Sequence, residues 1–398
     1  MDIPQHQSEK AARFLRLLGF WRQDRGNRAL ILDLARAGIE ARQTMQVAEA
    51  LSDYLSHEPA DREAQFMLGT IWLMEKQYER AESQFDALLH TCEGAQPHQA
   101  IIYNLAYASS GRGKYSEACA TLGRLTDSQW SENNEAHLLY ARSAHHLERF
   151  DEGKKHYLAY LGRSPENSDA WGELALLYFD NDDTELSRAA AQRALTLNGD
   201  TVSALIAEGS IALEQQDGPA AWSQFSRAVQ LQPINGRAWS GLGFAYFLLF
   251  DFGKANESFA RAVQHMPQHI GTWHGLGWVQ ILQNDLDGAK RSFEEALALD
   301  RTFGETHGGL AVVAVMSGKG VAAQPMVRRG LGLNPQSFSA QFAQSLLLKA
   351  EGNTTQAQKL VNSILGQGDG GLVGFQRLIA QVVRKASAHE RGNSAPAD

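Results

Sequence analysis

The sequence predicts an all-α solenoid of about ten stacked helical hairpins, and three periodic observations predict it. Trp171, Leu205, Trp239, Trp273 and His307 recur every 34 residues. Small or apolar residues follow the first of them at i+3, i+4 and i+7, as Leu174, Ala175 and Tyr178, the stripe of an amphipathic helix. Pro59, Pro165, Pro233, Pro267 and Pro335 fall at unit ends, where a missing amide donor and a fixed φ stop one helix before the next begins. A unit of this length cannot bury its apolar face alone, so neighbours must stack.

Ahead of the array, residues 8–22 place Phe14, Leu15, Leu17, Leu18, Phe20 and Trp21 on one helix that covers the open end, within an N-terminal segment 1–27. Hairpins then begin near Arg28, Arg62, Gln99, Asn134, Ser168, Val202, Gly236, Ile270, Gly304 and Phe338, an array over 28–365 that is best defined over 168–335. The Arg62 unit carries three extra residues within 91–97 and the Gln99 unit one more, both expected to lengthen loops. The eighth position of the first helix is small (Gly69, Ala106, Ala141, Ala175, Gly209, Gly243, Gly277, Ala311), which lets two helices approach closely. In second helices Ala221 and Phe225, Ala255 and Phe259, Ala289 and Phe293 repeat a small-then-large pair four residues apart. Past the array, glycine-rich 366–371 reads as a hinge before a helix with Leu372, Phe375, Ile379, Val382 and Val383 on one face, the whole spanning 366–387. That helix is either a solvating cap or a segment that docks elsewhere, including in the protein's own groove. Residues 388–398 are expected to be disordered.

Composition narrows the function classes. A hydrophobic content of 43% over 398 residues is enough for a continuous core. With 37 basic and 45 acidic residues, the net charge of −8 argues against a phosphate backbone as ligand. Cys92 and Cys119 are too few for a disulfide framework and lack metal-ligand spacing, so they read as reduced thiols. The opening residues have neither a basic nor an apolar leader segment, and no apolar run reaches membrane-spanning length; cytoplasmic residence without membrane insertion is the expectation.

One unit carries a more specific signature: Trp239-x2-Leu242-Gly243-x2-Tyr246, then Ala255-x3-Phe259, closing on Pro267. This resembles the tetratricopeptide repeat (TPR) family across nearly all of 28–365. The resemblance implies a right-handed superhelix whose first helices line a concave groove holding a peptide or a partner helix. It also implies groove-facing residues at positions 2, 5, 9, 12 and 13 of each first helix. From Gly236 onward these supply Phe244, Phe247, Leu248, His274, Trp278, Ile281, Leu282, Val312, Val315 and Met316, a largely apolar trough. Such a stripe is equally well the core of the stack; open, it suits helix-in-groove recognition with Trp278, Phe244 and Phe247 as anchors. In the Asn134 unit the same positions are Glu135, Leu138, Arg142, His145 and His146, a polar surface of mixed charge. Two specialised grooves of the family are absent. The carboxylate clamp fails because the fifth and ninth positions hold Leu138 and Arg142, Gly172 and Leu176, Ile206 and Ser210, Ser240 and Phe244. The asparagine ladder fails because the sixth positions after Asn104 are Leu139, Glu173, Ala207, Gly241 and Gly275.

Nothing in the sequence spells chemistry. His145 and His146 are adjacent and point about 100° apart on a helix, while His265, His269 and His274 surround a turn without a completing ligand set, so no metal is expected. Glycine strings such as 236–243 lie inside helical repeats with no preceding strand, so they are not phosphate loops. The run Asp180, Asn181, Asp182 and Asp183 is explained by turn formation and capping of the following helix. The expectation is a cytoplasmic, bacterial, non-catalytic scaffold or adaptor without cofactor that binds a protein or peptide. Two alternatives stand beside it: a chaperone or accessory protein of a bacterial export system, suggested by the similarity of the opening around Phe14 to Phe20, and a peptide-responsive regulator.

Overall fold

The computed structural model describes residues 3–91 and 99–366, and they are arranged as helices joined by short turns. Contacts divide the chain into two units, Met1–Glu166 and Asn167–Asp398. The first contains α1 (Ile3–Gln23), then the pairs α2 (Arg28–Glu40) and α3 (Thr44–His57), α4 (Arg62–Met74) and α5 (Tyr78–His90), α6 (Gln99–Gly111) and α7 (Tyr115–Leu122). A short α8 (Asp127–Glu132) precedes the pair α9 (Asn134–His146) and α10 (Phe150–Leu161). The second contains α11 (Ser168–Asp180) and α12 (Thr184–Leu197), α13 (Val202–Glu214) and α14 (Gly218–Leu231), α15 (Gly236–Leu248) and α16 (Phe252–His265). It continues with α17 (Ile270–Leu282) and α18 (Leu286–Leu299), α19 (Gly304–Met316) and α20 (Gly320–Leu333), α21 (Phe338–Ala350) and α22 (Thr354–Gly366). The first helix of every hairpin starts at the residue where the 34-residue register places it. The last helix runs through Gly366, where a hinge was expected; the rest of that hinge, the helix after it and the tail lie outside the described residues, as does Cys92.

Helix starts are set by short polar side chains. Asn27, Asn167, Asn235 and Ser337 accept the amide of the third residue of their first helices, and Asp217, Asp251 and Asp285 do so for second helices. The acidic run forms the turn as expected, with Asp182 at φ 61°, but does not cap the following helix. Asp183 makes no side-chain cap bond; it takes a hydrogen bond from Asn181 at 2.9 Å, and Asp180 is held elsewhere. Between the two helices of a hairpin one residue adopts a left-handed conformation: Arg42, Lys76, Glu148, Asp182, Gln216, Phe250 and Asn284 at φ of 55 to 61°, Gly113, Gly318 and Gly352 at 74 to 86°.

The residue at the fourth position of the first helix is a donor as much as an apolar filler. Trp239 and Trp273 donate their indole N–H to the carbonyls of Pro233 and Pro267 at 2.8 Å, six residues back. Gln65, His307 and Gln341 reach the carbonyls of Pro59, Arg301 and Pro335 in the same way. Tryptophan, histidine and glutamine therefore alternate at this position because each carries an N–H at the right reach, satisfying a carbonyl of the turn that launches the helix.

Packing in the second unit is built on three phenylalanines. A Cβ on Gly209, Gly243 or Gly277 would come within 2.8 Å of the ring of Phe225, Phe259 or Phe293 of the same hairpin. A Cβ on Gly241, Gly275 or Gly309 of the next hairpin would strike the same three rings. Each ring is fully or almost fully buried and lies between a glycine at the eighth position of its own first helix and one at the sixth position of the next.

Two parts of the first unit differ from the sequence expectation. α1 is longer than 8–22 and packs Phe14, Leu18 and Trp21 into the core while turning Leu15 and Phe20 outward. The extra length after α7 is a helix rather than a loop, because Thr126 and Gln129 form a reciprocal capping box that nucleates α8.

Candidate interaction surface

The apolar trough is closed. Phe247 and Val312 have no exposed surface, Trp278 retains 2%, Ile281 4% and His274 9%. Phe244, Leu248, Leu282 and Val315 are half-buried, and only Met316 is exposed. Trp278 meets Phe293, Phe338 and Phe342 with ring centroids 5.7 to 6.3 Å apart, and Phe244 lies edge-on to Phe259 at 4.9 Å. Leu248 covers the start of α14, where its Cβ lies 3.1 Å from the place a Cβ on Gly218 would take. Phe247, His274, Trp278, Ile281 and Val312 are therefore core, which corrects the reading of them as an open groove, whereas Phe244, Leu248, Leu282 and Val315 keep part of their surface and Met316 is exposed.

The reason is how first helices meet in this unit. Position 5, carried over as groove-facing, instead meets position 3 of the next first helix. Ser240 pairs with Thr272 at 3.1 Å and His274 Nε2 with Thr306 Oγ1 at 2.8 Å. Burial pushes His274 down to about 4, so it is a neutral hydrogen-bonding core residue. Gly172 lets the backbone of Ala204 approach, a Cβ there being 2.9 Å from its nitrogen, and Gly308 does the same for Ala340. Position 2 closes the pattern in α19, where Glu305 is buried and accepts the amides of Phe338 and Ser339 at 2.8 and 2.9 Å, capping α21 from the neighbouring hairpin.

Nearer its start this unit keeps a cavity of about 360 Å³, lined by Asp169, Glu173, Leu176, Ser203, Ile206 and Arg237 among others. Arg237 makes a two-pronged ion pair with Asp180, at 2.9 and 2.7 Å, that links first helices two hairpins apart.

In the first unit the polar positions are open. Glu135 and Arg142 are exposed and His145 is half-buried beside Phe150. His146 is exposed and stacks flat on Tyr115 at the start of α7, at 4.1 Å. Beside them stand two tyrosines that the sequence reading passed over. Tyr107 is 40% exposed and stacks on the half-buried Tyr103 at 6.3 Å, with Tyr78 edge-on to Tyr107 at 6.4 Å. Burial first, then the charge of Glu135, pushes the Tyr103 phenol up to about 12. Tyr160 donates to Glu135 at 3.3 Å, so Tyr103, Tyr107, Glu135, Arg142 and Tyr160 form one neighbourhood. The missed signal was available: the same position rule applied to the Gln99 unit selects Tyr103 and Tyr107.

Models of the tetratricopeptide repeat match residues 32–100, 103–153 and 147–200, and a second such model matches 270–303. The chain belongs to the tetratricopeptide repeat family. No curated protein matches the sequence. Among solved structures, a human IFIT1 dimer with m7Gppp-AAAA is similar at 15% identity and a TM-score of 0.52, over 90% of this chain and 93% of that one. YrrB, described as a TPR protein with an unusual peptide-binding site, is 18% identical at a TM-score of 0.40, over 47% of this chain and 97% of its own. PilF of Pseudomonas aeruginosa is 19% identical at a TM-score of 0.42, over 51% and 92%. At these identities the likeness is one of fold. Among the described residues of this TPR protein, no group of three or more histidine, cysteine or carboxylate side chains is placed to hold a metal, and no helix is long and apolar enough to cross a membrane.

Proposed function

We propose that this TPR protein is a non-catalytic scaffold whose first unit holds an extended protein segment on the first-helix face at Tyr103, Tyr107, Glu135 and Arg142. The observation that carries the reading is the stacked pair of half-buried Tyr103 and exposed Tyr107 beside a carboxylate and a guanidinium, on a face whose counterpart in the second unit is filled by core packing. Tyrosine supplies contact area with few rotamers to freeze and keeps a polar tip, which makes it a preferred interface residue. Glu135 and Arg142 add directional hydrogen bonding of both signs.

A protein partner fits the net charge of −8 better than a polyanion does, so the m7Gppp-AAAA of IFIT1 does not carry over. Residence in the cytoplasm and the absence of a cofactor belong to the same reading. The test compares the proteins captured from the native cell by the wild-type chain and by Tyr107→Ala with Arg142→Glu, after circular dichroism has shown equal helix content. A partner lost only by the variant supports the face; an identical set of partners overturns it.

A further inference from the structure

Beside this face, the α9–α10 hairpin holds a pair of histidines in an arrangement that packing alone does not require. His137 occupies the fourth position of its first helix, and its ring faces that of His156 on α10 with Nδ1 to Nδ1 at 3.0 Å. Trp130 on α8 lies over both, 4.7 Å from the His137 ring and 4.9 Å from the His156 ring, while Tyr140 on α9 stacks on His156 at 4.1 Å. His137 also bonds to the backbone of Trp130, the one influence on it that favours the charged ring. The two facing nitrogens share one proton, one donating and the other accepting. Two imidazolium rings would set N–H against N–H across the same 3.0 Å gap.

The charges around the pair do not relieve that conflict. Lys155 on α10 and Arg163 after it both oppose a cation at His137, and Lys155 opposes one at His156. Glu152 is the favourable charge, and it already accepts the hydroxyl of Tyr140 at 2.5 Å. Arg163 is tied to the carbonyl of Ser131 at the end of α8 at 2.8 Å. On α7, burial pushes the Cys119 thiol up to about 11, so it brings no charge at neutral pH.

We infer that the His137–His156 pair is a proton-sensitive latch, which holds α8 over the α9–α10 hairpin while both rings are neutral and releases it on protonation, altering the face that carries Glu135 and Arg142. The last clause rests on the interaction reading above; the latch itself does not. Burial lowers both rings from their ordinary 6.5, His156 to about 4. The closed form thus favours the neutral rings, and its stability is full above pH 6.5 and lost as the pH falls toward 4.

Hydrogen exchange on the full-length chain, free of partner and corrected for intrinsic exchange rates, reads the latch directly. For His156 alone, the opening constant of residues 127–132 is expected to rise about 30-fold between pH 7.5 and pH 5, while α11 and α12, which carry no histidine, keep their protection. His137→Gln with His156→Gln should abolish that dependence. Protection of α8 that ignores pH, or pH dependence that survives in the double variant, overturns the latch. Should the variant fail to fold, nitrogen-15 titration of the wild-type histidines decides: two depressed, coupled titrations support the pair, and two independent titrations near 6.5 overturn it. Capture of the partner at pH 7.5 and pH 5.5 separates the two ideas. Equal capture at both values in a chain whose latch opens overturns the regulatory clause, while loss caused by Tyr107→Ala at either pH reports only on the face.

Discussion

In the unit that begins at Asn167 the fifth residue of successive first helices is Gly172, Ile206, Ser240, His274, Gly308 and Phe342; in the unit before it, the same place is taken by Leu32, Phe66, Tyr103 and Leu138. At Gly172 and Gly308 the backbones of neighbouring first helices come together, at Ser240 and His274 side-chain hydrogen bonds bridge them, and Trp278 is sealed against Phe293, Phe338 and Phe342. In the earlier unit Leu32 and Leu138 are buried at this position and Tyr103 is half-buried, while Tyr107, Glu135 and Arg142 are exposed. Glycine at this position, as at Gly172 and Gly308, thus sets how closely one first helix lies against the next.

The sharpest way to break this comparison is Trp278→Ala. As a sealed core residue it should cost about 3–5 kcal/mol in chemical denaturation; a cost near zero would return it to an open groove. Glu305→Ala leaves two buried amides at the start of α21 unsatisfied and is expected to cost about 3 kcal/mol, with exchange protection lost first at Phe338 and Ser339. Gly308→Ala forces α19 and α21 apart for about 2 kcal/mol. If Tyr103→Phe costs as much, the contrast in how the two units use position 5 disappears. Trp239→Phe keeps an aromatic ring but loses the indole bond to Pro233 and part of the ring that Arg261 covers at 4.6 Å, so about 1–2 kcal/mol is expected. Tyr107→Ala loses its ring contacts with Tyr78 and Tyr103 for about 1–2 kcal/mol, and Arg142→Ala, smallest of all, should stay within about 0.5 kcal/mol of wild type, both while weakening partner capture.

Repeat boundaries were readable because they rest on local chemistry. Asn or Asp before a helix, a proline before a turn and glycine opposite phenylalanine each act within a few residues, and the ten first helices start where those signals put them. Closure of the trough was not readable. Whether Trp278 sees water depends on Phe338 and Phe342, some sixty residues later, and on how closely Gly308 lets two backbones approach. Periodicity marks the face of a helix without saying how far away the next helix lies. The tyrosine face was within reach of the same position rule, and it was missed because hydrophobicity, rather than ring type combined with exposure, guided the choice of units. α8 escaped for a different reason: its capping box at Thr126 and Gln129 is visible only once a single extra residue is allowed to be a helix start instead of slack.

Phe225, Phe259 and Phe293 each belong to two hairpins at once, which displaces the smallest self-sufficient block from the sequence repeat by half a period. A fragment cut at Gly236 would keep Phe225 and lose Gly241, leaving a ring with one side wet. Fragments that end instead after a first helix, such as α15, retain both walls. Truncation series built on that offset frame should lose helicity in even steps, and series built on the 34-residue register should lose it ahead of the cut.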